Sequence, residues 1–142
     1  MYLDGEDVTD AIRQHVISRY TSGVSAIPAV RAFLLERQRD MAREHDVIMD
    51  GRDIGTVVIP NAQVKIYLTA SSMVRARRRY DELTAKGETC DLEKIRQDIE
   101  DRDYRDMHRE TSPLKQADDA VLVDTSDMTI EQVIDRIVEL IG

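Results

Sequence analysis

Cysteine, aromatic residues and long apolar stretches are all scarce in this sequence. Cys90 is the one cysteine, tryptophan is absent, and aromatic residues make up 4% of the 142 positions. A lone cysteine excludes an internal disulfide framework and fits a reducing compartment, so we expect a cytoplasmic protein. No stretch approaches the roughly 20 apolar residues of a membrane span, and the first residues lack a secretory pattern. We therefore predict no membrane partner.

Two further classes of ligand are disfavoured. Cys90 and the histidines His15, His45 and His108 lack the close spacing by which proteins hold zinc, so we predict no metal site. The net charge of −8 argues against nucleic acid as a partner, because nucleic-acid binding requires a basic surface.

The basic residues that are present are mostly arginine. The 20 basic residues divide into 16 arginines and 4 lysines. The planar guanidinium group grips phosphate or carboxylate through two parallel hydrogen bonds, whereas lysine acts as a point charge. The ratio therefore favours anion recognition, although part of the arginines would form ordinary surface ion pairs.

Apolar periodicity predicts alternating helices and strands. An Asp4-Gly5 turn is expected near the start, Ser72 is expected to cap one helix that Gly87 ends, and Ser126 or Asp127 is expected to cap the last. The predicted helices lie at 12–20, 28–44, 73–86, 92–108 and from about 127 onward, and the predicted strands lie at 47–49, 63–69 and 120–124. This alternation predicts an α/β fold with a parallel sheet.

The segment Asp50-Gly51-Arg52-Asp53 directly follows the first predicted strand. Ligands of α/β proteins bind at the carboxyl ends of the strands, so Arg52 could clamp a phosphate there and Asp53 could accept from an exocyclic amine. The alternative is a solvated turn that contains a local ion pair.

A second cluster lies on the helix predicted at 92–108. Arg102, Asp106 and Arg109 are spaced i, i+4 and i+7, which places them on one helical face. This face could bind a phosphate and a sugar hydroxyl, or it could be an exposed surface of weak ion pairs.

A third cluster, Arg75-Ala76-Arg77-Arg78-Arg79, lies early in another predicted helix. Like charges at i and i+4 destabilise an isolated helix, and cations near its N-terminus oppose its dipole. Such a run is either fully solvated or placed for an anion.

The three clusters occur in an order that resembles bacterial cytidylate kinases. The similar segments are DGRDIGTVVIPNAQVKIYLTAS, RARRRY and IRQDIEDRDYRDMHRETSPLKQADDAVLVDTSDMTIEQVI, and upstream GEDVTDAIR and SAIPAVRAFLLERQR. The resemblance covers essentially the whole chain. It implies the parallel-sheet nucleoside-monophosphate kinase fold of the P-loop type, truncated at the N-terminus. It also implies four segments: 1–27 in the monophosphate-binding subdomain, 28–74 in the α/β core, 75–112 in the lid with its flanking helices, and 113–142 in the last core strand and helix.

The resemblance also implies roles for the acceptor nucleotide. Ser22, Arg31 and Asp53 would recognise the cytosine ring, and Arg52 and Arg109 would hold the acceptor phosphate and act in catalysis.

Four further residues take implied roles at the sugar and the donor. Arg102 and Asp106 would bind the ribose hydroxyls, and Arg75 and Arg79 would fold with the lid over the donor phosphates. Phosphoryl transfer depends on positioning and charge neutralisation, which suits arginine.

One part of the family pattern is missing from these residues. No G-x-x-x-x-G-K-[ST] motif occurs, since the six glycines stand at 5, 23, 51, 55, 87 and 142. We expect the complete protein to be a monomeric kinase that transfers phosphate from ATP with Mg²⁺ to CMP or dCMP. We expect this chain to have no dedicated site for ATP or Mg²⁺, to be inactive alone and to self-associate through an uncovered sheet edge.

Three alternatives remain open at this point. The chain could be a non-catalytic fragment that binds a pyrimidine monophosphate, a kinase for UMP or AMP, or a structural α/β domain whose arginines form surface ion pairs. Asp53 and Arg31 carry the choice of base, because replacing an amine by a carbonyl would set acceptor against acceptor at Asp53.

Overall fold

The computed structural model describes residues 1–13, 17, 20–21, 23–24 and 27–142. They form two compact units, Met1–Val47 and Ile48–Gly142. None of the described helices is both long and apolar enough to cross a membrane. The predicted four-segment division of the chain stays a prediction.

The first unit begins with a small antiparallel hairpin. Strands β1 (Tyr2–Leu3) and β2 (Glu6–Asp7) pair in the register Tyr2 with Asp7 and Leu3 with Glu6. The turn residues Asp4 and Gly5 have φ angles of 50° and 87°, which is the left-handed conformation that Asp-Gly turns adopt readily. The predicted Asp4-Gly5 turn is confirmed.

Helix α1 (Pro28–Glu44) completes the described part of the first unit. Proline stands in its first turn, where the missing backbone N–H costs nothing. The bounds agree with the predicted helix at 28–44. The helix predicted at 12–20 falls mostly outside the described residues; a 3₁₀ turn covers Ala11–Arg13.

The second unit is built on two parallel strands, β3 (Ile66–Thr69) and β4 (Val121–Asp124). They pair in register from Ile66 with Val121 to Thr69 with Asp124. The helices of this unit are α2 (Ser72–Ala85), α3 (Leu92–His108) and α4 (Ile130–Ile141). The α/β class with a parallel sheet is confirmed.

The strand predicted at 47–49 is wrong. Residues 46–50 form no strand, and Ile48 is 93% exposed. An apolar run becomes a strand only where a neighbouring strand supplies hydrogen-bond partners. Within the described residues, the parallel sheet consists of β3 and β4 alone, and neither pairs with this run.

Two of the predicted helix caps are displaced along the chain. Ser71, not Ser72, caps α2 by accepting from the Val74 amide at 3.3 Å. Thr129, not Ser126 or Asp127, caps α4 in a reciprocal capping box with Gln132. The Ser126 hydroxyl instead donates to Asp124 at 2.6 Å, so it is already engaged. Gly87, with φ 79°, follows the end of α2 as predicted.

Helix α2 packs against α3 over its N-terminal half through polar contacts. The Ser72 hydroxyl donates to Glu100 at 2.7 Å, and Arg75 forms a two-pronged ion pair with Asp103 at 3.1 and 2.6 Å. The buried apolar side chains of the unit are few: Val58, Ala70, Ala76, Leu83 and Val123. The polar contacts therefore contribute much of what orients α3 against α2. Helix α3 carries the second arginine cluster.

Candidate functional site

The segment that carries Arg52 and Asp53 is a tight turn followed by a single π-helical turn, Ile54–Val58. A Cβ added at Gly51 would lie 2.9 Å from Ile54 Cγ1, so a side chain there would clash. The Asp53 carbonyl accepts from the amides of Val57 at 2.9 Å and Val58 at 3.2 Å. The turn thereby fixes Asp53, which is only 8% exposed.

The C-terminal part of α3 supplies the other residues. Arg102 and Asp106 lie one helical turn apart, and Arg109 caps the helix end. Asp106 is 7% exposed, which is rare for an aspartate and requires compensating partners. Arg102 and Asp106 therefore lie close together near the end of α3, and Arg109 follows just beyond its last residue.

The Asp106 carboxylate joins the two segments. Its Oδ2 accepts from Arg52 Nε at 2.9 Å and lies 3.8 Å from Arg102 Nε. This is the one hydrogen bond that the Arg52 guanidinium makes within the described part of the chain, so its terminal nitrogens can serve another acceptor. The contact spans 54 positions of sequence and brings Arg52 to α3.

Arg109 is held in a different way. Its Nε donates to the Ser112 carbonyl at 2.7 Å, and its Nη2 lies 4.0 Å from Asp53 Oδ1. Nη2 is buried and makes no hydrogen bond to any described residue. A buried donor left unpaired is costly, so this nitrogen is suited to an incoming acceptor oxygen.

The five side chains together carry an excess of positive charge. Three guanidinium groups, of Arg52, Arg102 and Arg109, surround two carboxylates, of Asp53 and Asp106. Both carboxylates are nearly buried, at 10% side-chain exposure each. An anion that bonds the arginines would complete the charge balance of the cluster, whereas a cation would worsen it.

The sequence profile of the family described as Cytidylate kinase matches residues 1–142. The chain belongs to the cytidylate kinase family. It is 52% identical over 141 residues to the Cytidylate kinase of Lactobacillus johnsonii, covering 99% of this chain and 61% of that protein. It is 50% identical to the Cytidylate kinase of Caldanaerobacter subterraneus subsp. tengcongensis, covering 99% of this chain and 63% of the relative. With that of Streptococcus pneumoniae, identity is 47% over 137 residues, or 96% of this chain and 61% of the relative.

Family membership confirms the nucleoside-monophosphate kinase fold of the P-loop type that the resemblance implies. The chain spans about three fifths of the length of these curated relatives. Cytidylate kinases are nucleoside-monophosphate kinases, so the predicted enzyme class is confirmed at the level of the family.

The two arginines expected in a cytidylate kinase lid have protein partners. Arg75 donates from Nε to the Ala70 carbonyl at 2.9 Å and from both terminal nitrogens to Asp103. Arg79 donates to Glu82 at 2.7 Å. These contacts connect Arg75 to the end of β3 and to α3. The roles of Arg75 and Arg79 at the donor phosphates stay predictions.

The predicted base-reading residues outside this cluster are Ser22 and Arg31. Arg31 lies in α1, where it is partly buried, and Ser22 falls outside the described residues. Their roles in reading cytosine stay predictions.

Asp103 and Ser112 escaped the sequence reasoning, and Arg78 was named there only as part of the arginine run 75–79. Asp103 pairs with Arg75, Arg78 donates to the Thr125 carbonyl at 2.6 Å, and Ser112 accepts from Arg109. The position of Asp103, three residues after Glu100 and three before Asp106, was a usable signal, because it repeats one helical face. No sequence pattern indicates the contacts of Arg78 and Ser112, which depend on where loops return to the helices.

Proposed function

We propose that the complete protein transfers a phosphoryl group from ATP to CMP or dCMP, and that the cluster around Asp106 binds the monophosphate. The observation that carries this proposal is the buried Arg109 Nη2, which makes no hydrogen bond to the described residues. The phosphate of a mononucleotide would supply a hydrogen-bond acceptor for this nitrogen, and its negative charge would offset the excess of three guanidinium groups over two carboxylates.

The geometry of each residue and the family resemblance support the following proposed roles. Arg52 and Arg109 bind the acceptor phosphate through their terminal nitrogens, since their Nε atoms are already bonded. Arg102 and Asp106 bind the ribose hydroxyls, for which a carboxylate is a natural acceptor. Asp53 accepts from the exocyclic amine of cytosine, an atom that uracil replaces by a carbonyl oxygen.

The residues of this chain suit the donor ATP less well than they suit the acceptor monophosphate. The 142 residues contain no glycine-rich phosphate-loop motif, whose lysine and hydroxyl bind the phosphates and Mg²⁺. Among the residues the structure describes, no group of three His, Cys, Asp or Glu side chains is placed to hold a metal ion. When bound, Mg²⁺ neutralises charge on the transferring phosphate; the residues of the Asp106 cluster fit the acceptor and not this ion.

Calorimetric titration of the 142-residue chain with CMP tests the proposal. Arg109→Met removes the terminal nitrogens but keeps a long apolar stem. We expect it to weaken CMP binding about tenfold or more, since a lost charged hydrogen bond costs about 1.5–3 kcal/mol. UMP should bind more weakly than CMP, because its carbonyl faces the Asp53 acceptor.

Arg105→Met is the matched control. Arg105 lies in α3 one turn before Arg109, is exposed, and donates only to the Asp101 carbonyl at 3.2 Å within the described chain. Its loss should leave CMP affinity unchanged. The proposal is wrong if the wild-type chain binds no CMP, or if both variants bind CMP equally well.

A further inference from the structure

The chain reverses direction immediately after α3, in the segment 110–114. The Leu114 amide donates to the Asp106 carbonyl at 2.7 Å and so closes this segment onto the last helical turn. Ser112 has a φ angle of 50°, although it is not glycine and it precedes Pro113. Left-handed backbone is unfavourable for most residues and is worst for β-branched ones, so the turn depends on the residue at 112.

The Ser112 carbonyl has a partner that helix capping does not explain. It accepts from Arg109 Nε at 2.7 Å, whereas the capping bond of this segment uses the Leu114 amide. A guanidinium group is rigid and planar, so a bond at Nε fixes the plane in which both terminal nitrogens lie. In this plane Nη2 is buried and lies 4.0 Å from Asp53 Oδ1.

We propose that Ser112 is a positioning residue for Arg109. Its left-handed backbone directs the carbonyl to Nε, and that bond holds the buried terminal nitrogen toward the place where an acceptor phosphate binds. The identity of the ligand rests on the proposed function; the orientation of Arg109 does not, because it is a property of the free chain.

Two substitutions at one position separate the backbone effect from the side chain. Ser112→Gly keeps the left-handed conformation at no steric cost, while Ser112→Val penalises it through a branched Cβ. In the free chain, we expect the Arg109 Nε–H proton to exchange with water severalfold faster in Ser112→Val than in wild type, because the branched Cβ adds to the left-handed penalty that serine already bears. Ser112→Gly should match wild type.

Ligand binding gives the second readout. Ser112→Val should weaken CMP binding severalfold and leave cytidine binding unchanged, because in the proposed function only the phosphate contacts Arg109. Ser112→Gly should bind CMP with wild-type affinity. A purely structural role would instead weaken CMP and cytidine alike.

If Ser112→Val unfolds the chain, the same measurements are made on Ser112→Thr, which also has a branched Cβ and keeps the hydroxyl group. Unchanged Nε–H exchange in a folded branched variant would overturn the proposal, and so would an equal loss of CMP and cytidine binding. If wild type binds neither CMP nor inorganic phosphate, the proposed function fails, and the exchange measurement still decides whether Ser112 orients Arg109.

Discussion

At the scale of single residues, the cluster depends on what holds the Nε atom of each arginine. Arg52 Nε is held by the Asp106 carboxylate and Arg109 Nε by the Ser112 carbonyl. A bond at Nε orients the guanidinium group and leaves its terminal nitrogens for a ligand. The side chains are therefore oriented before any ligand arrives, which lowers the entropic cost of binding an anion.

The residues of this cluster could be predicted, but their partners could not. Helical spacing predicts that Arg102, Asp106 and Arg109 share a face, because that spacing is a local property of the chain. The bond between Arg52 and Asp106 joins positions 54 apart, and it depends on how the turn at Gly51 folds back. The turn and the helix can each be predicted from the local sequence, whereas the contact between them depends on tertiary packing.

Glu82 offers a test of charge pairing on α2. Its carboxylate accepts from Lys86 and from Arg79, each at 2.7 Å. These partners, Lys86 foremost, lower the pKa of Glu82 from 4.5 to about 2. Because the folded-state pKa is depressed, the pair stabilises the fold above pH 4.5, and this contribution is lost as the pH falls toward 2.

A carboxyl-carbon NMR titration of Glu82 measures this pKa directly. Lys86→Met and Arg79→Met should each raise it toward 4.5, because each removes a hydrogen bond and a positive charge from the carboxylate. In the wild-type chain, a titration midpoint near 4.5 would show that the two ion pairs do not form in solution.

At the scale of secondary-structure elements, two polar contacts hold α2 against α3. Ser72 with Glu100 and Arg75 with Asp103 repeat the same offset of 28 positions, so they lie side by side along the two helices. Arg75 also donates to the Ala70 carbonyl beyond the end of β3, and it thereby connects strand and helix. The orientation of α3, and with it of Asp106, depends on this contact.

A double-mutant cycle tests the coupling between Arg75 and Asp103. We expect Arg75→Met and Asp103→Asn to show a coupling free energy of about 1 kcal/mol in denaturant unfolding, since the pair is two-pronged yet partly exposed. The control is Arg43 with Asp40 on α1, a pair at 2.6 Å with 63% and 47% side-chain exposure.

The control cycle, Arg43→Met with Asp40→Asn, should give a coupling free energy close to zero, because solvent screens exposed pairs. Equal coupling in the two cycles would mean that the contact between α2 and α3 is no more than a surface ion pair. The bounds of α2 and α3 were predictable from the sequence to within one residue, since helical periodicity is a local signal. Their contact was not, because no local signal specifies which faces meet.

At the scale of the whole molecule, the predicted α/β class is correct. The strand expected at 47–49 shows that an apolar run alone does not predict an individual strand. The apolar run Val47-Ile48-Met49 has the composition of a buried strand, yet Ile48 is 93% exposed. An apolar, β-branched composition allows a segment to form a strand, but the strand forms only where a neighbouring strand pairs with it. Apolar side chains of α4 are also exposed, including Ile130 at 76% and Val138 at 60%. Whether the chain self-associates through such surfaces stays a prediction.

The last prediction concerns the activity of these 142 residues taken alone. Catalysis of phosphoryl transfer requires an acceptor site and a set of groups that neutralise the donor phosphates. The Asp106 cluster is the acceptor site in the function that we propose, while the 142 residues contain no phosphate-loop motif for the donor. We therefore expect the chain to bind CMP and to turn over below about 1 s⁻¹, the low end for kinases.

A coupled assay of ADP release with CMP and ATP measures this rate, and a reaction without CMP corrects for background hydrolysis of ATP. The Arg109→Met variant shows whether any residual turnover belongs to the chain, since a contaminating kinase would be unaffected by it. CMP-dependent turnover above about 1 s⁻¹ that falls in Arg109→Met would contradict the prediction. It would require that other residues of this chain neutralise the donor phosphates, and the arginines of α2 would then be the first to replace.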